Sequence, residues 1–64
     1  MQTMMREAEI HGYARQLFDA HGARGAAEAA QKARAFEDKG DQDQSRTWRR
    51  IEAAIKLMRG PNQS

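Results

Sequence analysis

The sequence contains no cysteine and no valine, and Pro61 is its only proline. Without cysteine, the chain can form neither disulfide bonds nor thiolate metal sites. The only β-branched aliphatic residues are Ile10, Ile51 and Ile55, and their scarcity disfavours β-strands. No apolar run approaches the ~20 residues that a helix needs to cross a bilayer. We therefore expect a cytoplasmic protein without a membrane partner.

The sequence also offers little material for a large hydrophobic core. A chain of 64 residues forms at most one domain, and it buries only about 60% of the surface that the unfolded chain exposes. Of its 25 apolar residues, twelve are alanines, each of which buries a single methyl group. Alanine, glutamate, glutamine, lysine and arginine dominate the composition, and these residues favour helices. We predict one helical domain over residues 1–64, with disordered ends at about 1–4 and 61–64.

The chain divides into three predicted helices, at about residues 5–21, 25–39 and 42–59. Gly22 and Gly40 follow the first two helical patterns, as glycines at helix C-termini do. Asp41 and Gln44 have the spacing of a capping box. So few residues separate the last two helices that these must run antiparallel. The predicted fold class is all-α, a small three-helix domain with a tight antiparallel hairpin between helices 2 and 3.

The last predicted helix carries the main apolar stripe. Trp48, Ile51 and Ile55 follow one another at steps of three and four, which is the spacing of one helical face. We predict that the first two helices pack on this stripe. The predicted core anchors are Leu17, Phe18, Phe36, Trp48, Ile51 and Ile55.

Two smaller features predict details of the packing. Gly12 lies inside the first helical pattern, where glycine costs about 1 kcal/mol relative to alanine. We therefore expect another helix to approach closely there, or the helix to kink. Glu28 and Lys32 are four residues apart and are expected to form an ion pair on the second helix.

No group of residues has the pattern of a catalytic or metal site. His11 and His21 are the only imidazoles, and on one helix they point ~80° apart and lie ~15 Å apart along the axis. They cannot share a metal, and His21 suits the C-terminal end of a helix dipole. We interpret Asp41 and Asp43 as a helix cap, because a catalytic acid–base pair needs a concave, partly dry site. The sequence thus predicts no enzyme, no catalytic residue, no cofactor and no metal.

Basic residues accumulate on the last helix, on the side away from Trp48. The members of this candidate interaction surface are Arg46, Arg49, Arg50 and Lys56. Such a face can bind phosphates, with an affinity that falls steeply as salt rises. It is also typical of an ordinary solvated helix surface, because cations suit the C-terminal end of the helix dipole.

The aromatic residues allow a third interpretation. Tyr13, Phe18, Phe36 and Trp48 are many for so small a core, and exposed aromatic surface flanked by arginine is typical of a protein partner site. A second copy of the chain is the simplest partner, because a symmetric homodimer would enlarge a deficient core. The alternative is that all four aromatic residues complete a monomeric core.

The Gly40-Asp41 turn, followed by Trp48-x-x-Ile51-x-x-Ala54-Ile55, resembles a group of short uncharacterised proteins common in alphaproteobacteria. The resemblance covers about residues 13–59 and includes Ala-His-Gly near residue 20. It implies a bacterial origin and a small helical fold, and that family has no known activity to carry over. The helix–Gly-Asp–helix part is also similar to tetratricopeptide hairpins, but no 34-residue repeat recurs.

These patterns together favour a non-enzymatic helical protein-interaction or regulatory module that binds another protein or itself. The alternative is a weak nucleic-acid binder that uses the basic face of the last helix.

Overall fold

The computed structural model describes residues 6–59. Three helices account for nearly all of them: α1 (Glu7–His21), α2 (Arg24–Lys39) and α3 (Gln42–Arg59). The predicted all-α class and the three predicted helices are confirmed, and these residues contain no strand. The predicted disordered ends at about 1–4 and 61–64, like the predicted helix start at residue 5, lie outside the described residues. No helix within residues 6–59 is long and apolar enough to span a membrane.

Helix α1 begins after Arg6, whose extended backbone holds it outside the helix. The amide of Arg6 donates a hydrogen bond of 3.1 Å to the Glu9 carboxylate. This is only half of a capping box, because a guanidinium has no acceptor to offer in return. Glu7 and Glu9 place negative charge in the first turn, where the helix dipole favours it.

The turn between α1 and α2 is short because Gly22 adopts φ 64°, a region that side chains rarely allow. Its amide donates to the carbonyl of Phe18 at 2.7 Å. Gly25, in the first turn of α2, is buried against α1. A Cβ atom at Gly25 would lie 3.3 Å from the Leu17 carbonyl oxygen and 3.4 Å from Cδ1 of Ile55. A side chain at position 25 would crowd the end of α1, so glycine suits the close start of α2.

The turn between α2 and α3 consists of Gly40 and Asp41. Gly40 is left-handed at φ 84°, and the Asp41 amide donates to the Phe36 carbonyl at 2.9 Å, as in a Schellman motif. Asp41 also caps α3, since its carboxylate accepts a 3.2 Å hydrogen bond from the Gln44 amide. The expected capping box is only half formed, because the Asp41 amide is already used by Phe36.

Helices α2 and α3 share the largest of the three interhelical contacts. Gly25 meets Ile55 near one end, and Lys32 lies over Trp48 nearer the turn. Residue numbers rise along one helix as they fall along the other, so the hairpin is antiparallel, as predicted. Helix α1 packs mainly on α3 and makes its smallest contact with α2.

The core is built from three isoleucines and five alanines. The buried apolar residues are Ile10, Ala14, Ala26, Ala29, Ala33, Ile51, Ala54 and Ile55. Among the predicted core anchors, Ile51 and Ile55 are the largest fully buried side chains. Leu17, Phe18 and Trp48 are half-buried and pack against the core. Phe36 is also half-buried, with the Lys39 ammonium 5.5 Å from its ring centroid.

The expected close helix approach at Gly12 is wrong. The residue is exposed, α1 runs without interruption through it, and a Cβ atom there would meet nothing within 4 Å. A close helix approach therefore does not explain this glycine. The site where a glycine does permit close approach is Gly25.

The expected ion pair between Glu28 and Lys32 does not form. The Glu28 carboxylate lies 3.4 Å from Nδ1 of His21, and the Lys32 ammonium lies 5.7 Å from the Trp48 ring centroid. The Glu28 side chain bends towards α1, and the Lys32 side chain bends towards α3. Tertiary partners have replaced a pair that an isolated helix would favour.

Candidate functional site

The solvent-facing side of α3 combines four cations with two apolar residues. Arg46, Arg50, Ala53 and Leu57 follow at steps of four, three and four, so they share one helical face. Arg49 and Lys56 border the same face. We call this set the α3 outer face: Arg46, Arg49, Arg50, Ala53, Lys56 and Leu57, all of which are exposed. It includes the four basic residues singled out from the sequence.

Three of these four cations are paired with carboxylates. Arg50 contacts Glu7 of α1. Arg49 lies 4.0 Å from Glu37 of α2 and 3.4 Å from Glu52. Lys56 lies 3.1 Å from the same Glu52. The basic face is therefore largely charge-compensated, which the sequence of α3 alone does not reveal.

Two of these four pairs are exposed on both sides, Arg49 with Glu37 and Arg50 with Glu7. The side chains of Arg49 and Arg50 are 49% and 52% exposed, whereas that of Glu52 is only 16% exposed. Ion pairs in solvent contribute about 0–1 kcal/mol each and weaken as salt rises. Arg46 has no ion pair among residues 6–59 and lines a shallow depression with Glu37, Gln42, Ser45 and Arg49.

A groove between α1 and α3 adjoins this face. Its lining residues are Glu7, Ile10, His11, Arg50, Ala53, Ala54 and Leu57. The floor is apolar, because Ile10 and Ala54 are both buried. The rim is charged, since Glu7 contacts Arg50 and lies 3.8 Å from the His11 Nε2 atom. The groove volume of about 190 Å³ is below the ~300 Å³ of a small-molecule pocket and suits one or two side chains.

Leu57 stands at the edge of this groove. It is 71% exposed, and the only other exposed large hydrophobic residue within residues 6–59 is Tyr13 at 38%. Leu57 was not among the core or surface residues predicted from the sequence. The sequence did indicate this position, because Leu57 lies seven residues after Arg50 and therefore falls on the basic face of α3.

The aromatic residues form a contact between helices. The rings of Tyr13 and Trp48 meet edge to face, with centroids 5.5 Å apart and planes at 79°. Lys32 covers the Trp48 ring from α2. This cluster joins all three helices, which is a structural role for the half-buried indole.

The remaining polar candidates have local roles. His21 ends α1 and faces Glu28 across the turn to α2, while Asp41 caps α3. Ser45 and Thr47 are buried polar residues that the apolar pattern missed, and the Thr47 hydroxyl donates to the Asp43 carbonyl at 3.0 Å. Within residues 6–59, no three side chains of metal-binding type lie together.

No family model matches this chain, and no curated protein or solved structure matches it either.

Proposed function

We propose that this chain is a non-enzymatic helical protein-interaction module whose contact surface is the α3 outer face together with the α1–α3 groove. The observation that carries the proposal is Leu57, which exposes 71% of its surface beside an apolar groove. A single exposed leucine is ordinary on a protein surface. What distinguishes Leu57 is the apolar floor that continues from it and the charged rim around both.

This arrangement resembles the anatomy of a protein contact surface. Such surfaces have an apolar centre and a polar rim, and charges of both signs at the rim select the partner and its orientation. Leu57 and Ala53 supply the centre. The contact between Glu7 and Arg50 supplies a rim with both signs.

The charge balance favours a protein over a nucleic acid. Four cations on the α3 outer face meet three carboxylates, Glu7, Glu37 and Glu52, which leaves one net positive charge. Phosphate binding draws nearly all of its affinity from the counterions that cations release, so a face with one net positive charge offers little to it. An apolar centre also contributes nothing to a phosphate contact.

Weak nucleic-acid binding is the second candidate function, favoured by Arg46, which has no ion pair within residues 6–59. If all four cations contact phosphates, log K should fall against log salt with a slope of about −3 to −4. The measurement is fluorescence anisotropy with labelled single and double strands. The absence of any salt-sensitive binding at low salt would reject this candidate.

Self-association is the variant of the main proposal that the alanine-rich core supports. Only three of the eight buried apolar residues are larger than alanine, and a homodimer would add apolar burial. Sedimentation equilibrium over a range of concentrations measures the mass directly. A monomer mass throughout, with a cooperative melt, would reject self-association and leave binding to another protein in place.

The main proposal is tested by comparing two matched variants in partner capture. Leu57→Gln removes the apolar centre, whereas Ala35→Gln introduces the same side chain at an exposed position of α2. We expect Leu57→Gln to lose proteins that wild type and Ala35→Gln both retain from a lysate of the source organism. Circular dichroism should show equal helicity in all three. Identical capture by the two variants would contradict the proposal.

A further inference from the structure

We propose that the α3 outer face accepts an acidic amphipathic helix of another protein. This inference rests on the proposed function and deepens it by naming the chemistry of the partner. It depends on where the charges lie, on how easily the existing ion pairs exchange, and on the shape of the apolar centre.

The cations and the carboxylates occupy different positions around α3. The side chains that face outward along the helix are Arg46, Arg49, Arg50 and Lys56, with Ala53 and Leu57 between them. Two of the compensating carboxylates belong to the flanking helices, Glu7 on α1 and Glu37 on α2. The third, Glu52, is largely buried at 16% side-chain exposure. A partner that approaches along α3 therefore meets Arg46 without an ion pair among residues 6–59, and meets Arg49 and Arg50 in pairs with exposed carboxylates of the flanking helices.

The flanking pairs leave these cations available for exchange. Glu7 and Glu37 are 61% and 62% exposed, so their contacts with arginine are of the weak, solvated kind. A carboxylate on a docked helix can replace either of them at little cost. Arg46 has no carboxylate to release among residues 6–59. Arginine also binds carboxylates through two parallel hydrogen bonds, which fixes their orientation.

The apolar centre of the α3 outer face and the groove beside it have a shape that suits a docked helix. Ala53 and Leu57 are one helical turn apart, and the groove beside them has room for one or two side chains at about 190 Å³. In helix-in-groove recognition, an amphipathic helix places apolar residues at spacings of three and four into such a groove. Leu57 would then be covered, with the acidic side chains of the partner helix facing the arginines.

A second copy of this chain fits the face less well. The only exposed large hydrophobic residues within residues 6–59 are Tyr13 and Leu57, and they lie on different helices. No helix within residues 6–59 of a copy therefore presents a stripe of large apolar residues to the face. Pairing the face with itself would oppose cations with cations. A stable dimer also buries about 800 Å² per partner, roughly a sixth of the 4568 Å² surface of the chain. Leu57 and Ala53 supply only a small part of that area.

The test uses a display library of short amphipathic helices whose polar positions are randomised among acidic, basic and neutral residues. Selection against the wild-type protein should enrich acidic helices with apolar residues at spacings of three and four. One selected peptide is then synthesised, labelled and titrated by fluorescence anisotropy. The control peptides are its scrambled sequence and its Glu→Lys counterpart.

Two variants and a matched control locate the contact. We expect Leu57→Gln to weaken binding of the selected peptide by ~10-fold or more, because it removes a central contact. Arg46→Glu should weaken it by a similar factor, because it opposes the acidic peptide with a like charge. Arg24→Glu changes the net charge by the same amount at an exposed position of α2 and should leave binding unchanged. High salt should weaken the wild-type complex, because rim charges are screened.

The outcomes separate this inference from the proposed function. Acidic binders that are lost on Arg46→Glu and on Leu57→Gln support both. Neutral or basic binders that are lost on Leu57→Gln overturn the acidic partner and leave the interaction surface standing. If every selected binder tolerates Leu57→Gln, both the inference and the proposed surface are wrong. If Arg24→Glu and Arg46→Glu weakened peptide binding equally, the effect would come from net charge alone, and the inference would also be overturned.

Discussion

Gly12 and Gly25 form a matched pair in which the same substitution should have opposite effects. Gly12 is exposed inside α1, and a Cβ atom there would meet nothing within 4 Å. Gly12→Ala should therefore raise the free energy of unfolding by about 0.5–1 kcal/mol, because alanine has the higher helix propensity and its methyl group causes no steric clash. In a domain of this size, 1 kcal/mol corresponds to a rise in melting temperature of roughly 4–8 °C.

Gly25→Ala places its new methyl group against the backbone of α1 rather than in solvent. Its new Cβ atom would lie 3.3 Å from the carbonyl oxygen of Leu17 and 3.4 Å from Cδ1 of Ile55. The isoleucine end can rotate away, but the carbonyl oxygen moves only if α1 moves. Overpacking of this kind costs about 1–3 kcal/mol, against a propensity gain of at most ~1 kcal/mol. We expect a net destabilisation of about 0–2 kcal/mol.

The assay is urea and thermal unfolding followed by circular dichroism for wild type, both single variants and the double variant. Gly12→Ala should raise the free energy of unfolding, and Gly25→Ala should lower it or leave it unchanged. If Gly25→Ala stabilised the protein as much as Gly12→Ala, the close approach of α1 and α2 would be refuted. If Gly12→Ala failed to stabilise, the account of Gly12 as a plain exposed helix position would be wrong.

The remaining predictions concern the α2–α3 turn and the aromatic contact. Gly40→Ala should cost roughly 1–2 kcal/mol in unfolding free energy, because φ is 84° there and left-handed backbone is strained with a side chain. Gly40→Asn should cost less, since asparagine tolerates that region, and equal values for the two variants would contradict this origin. Trp48→Ala should cost about 3 kcal/mol, at the lower end for a large aromatic, because the indole is half-buried and also loses its edge contact with Tyr13. A loss below ~1 kcal/mol in denaturant unfolding would show that the cluster does not join the helices.

The helices and the hairpin were predictable because local chemistry specifies them. Gly40 and Asp41 end one helix and begin the next within two residues, whatever the rest of the chain does. Trp48, Ile51 and Ile55 share a face by spacing alone, and the structure places all three on the inner side of α3. These features depend on residues that lie close together in the sequence, so a single sequence is enough to predict them.

Features that depend on how α1 lies across the hairpin were not predictable. Gly12 and Gly25 both lie in helical patterns, and only the path of α1 decides which of them touches a backbone. For the same reason, nothing in the sequence of α3 indicates that Arg50 pairs with Glu7, which is 43 residues away. Sequence reasoning found the cations of the outer face and missed the carboxylates that compensate them.

The small core and the proposed contact surface have one physical origin. Helix α1 buries only Ile10 and Ala14 fully, so much of its attachment to α3 comes from half-buried and exposed contacts such as Tyr13 with Trp48. The groove lies at this same junction, where Leu57 stands beside Ile10 and His11 and remains 71% exposed. A helix docked on Leu57 would also contact α1 at Ile10, and any partner that binds only the folded state stabilises it. In the proposed function, the partner therefore reinforces the contact between α1 and α3 while it is being recognised.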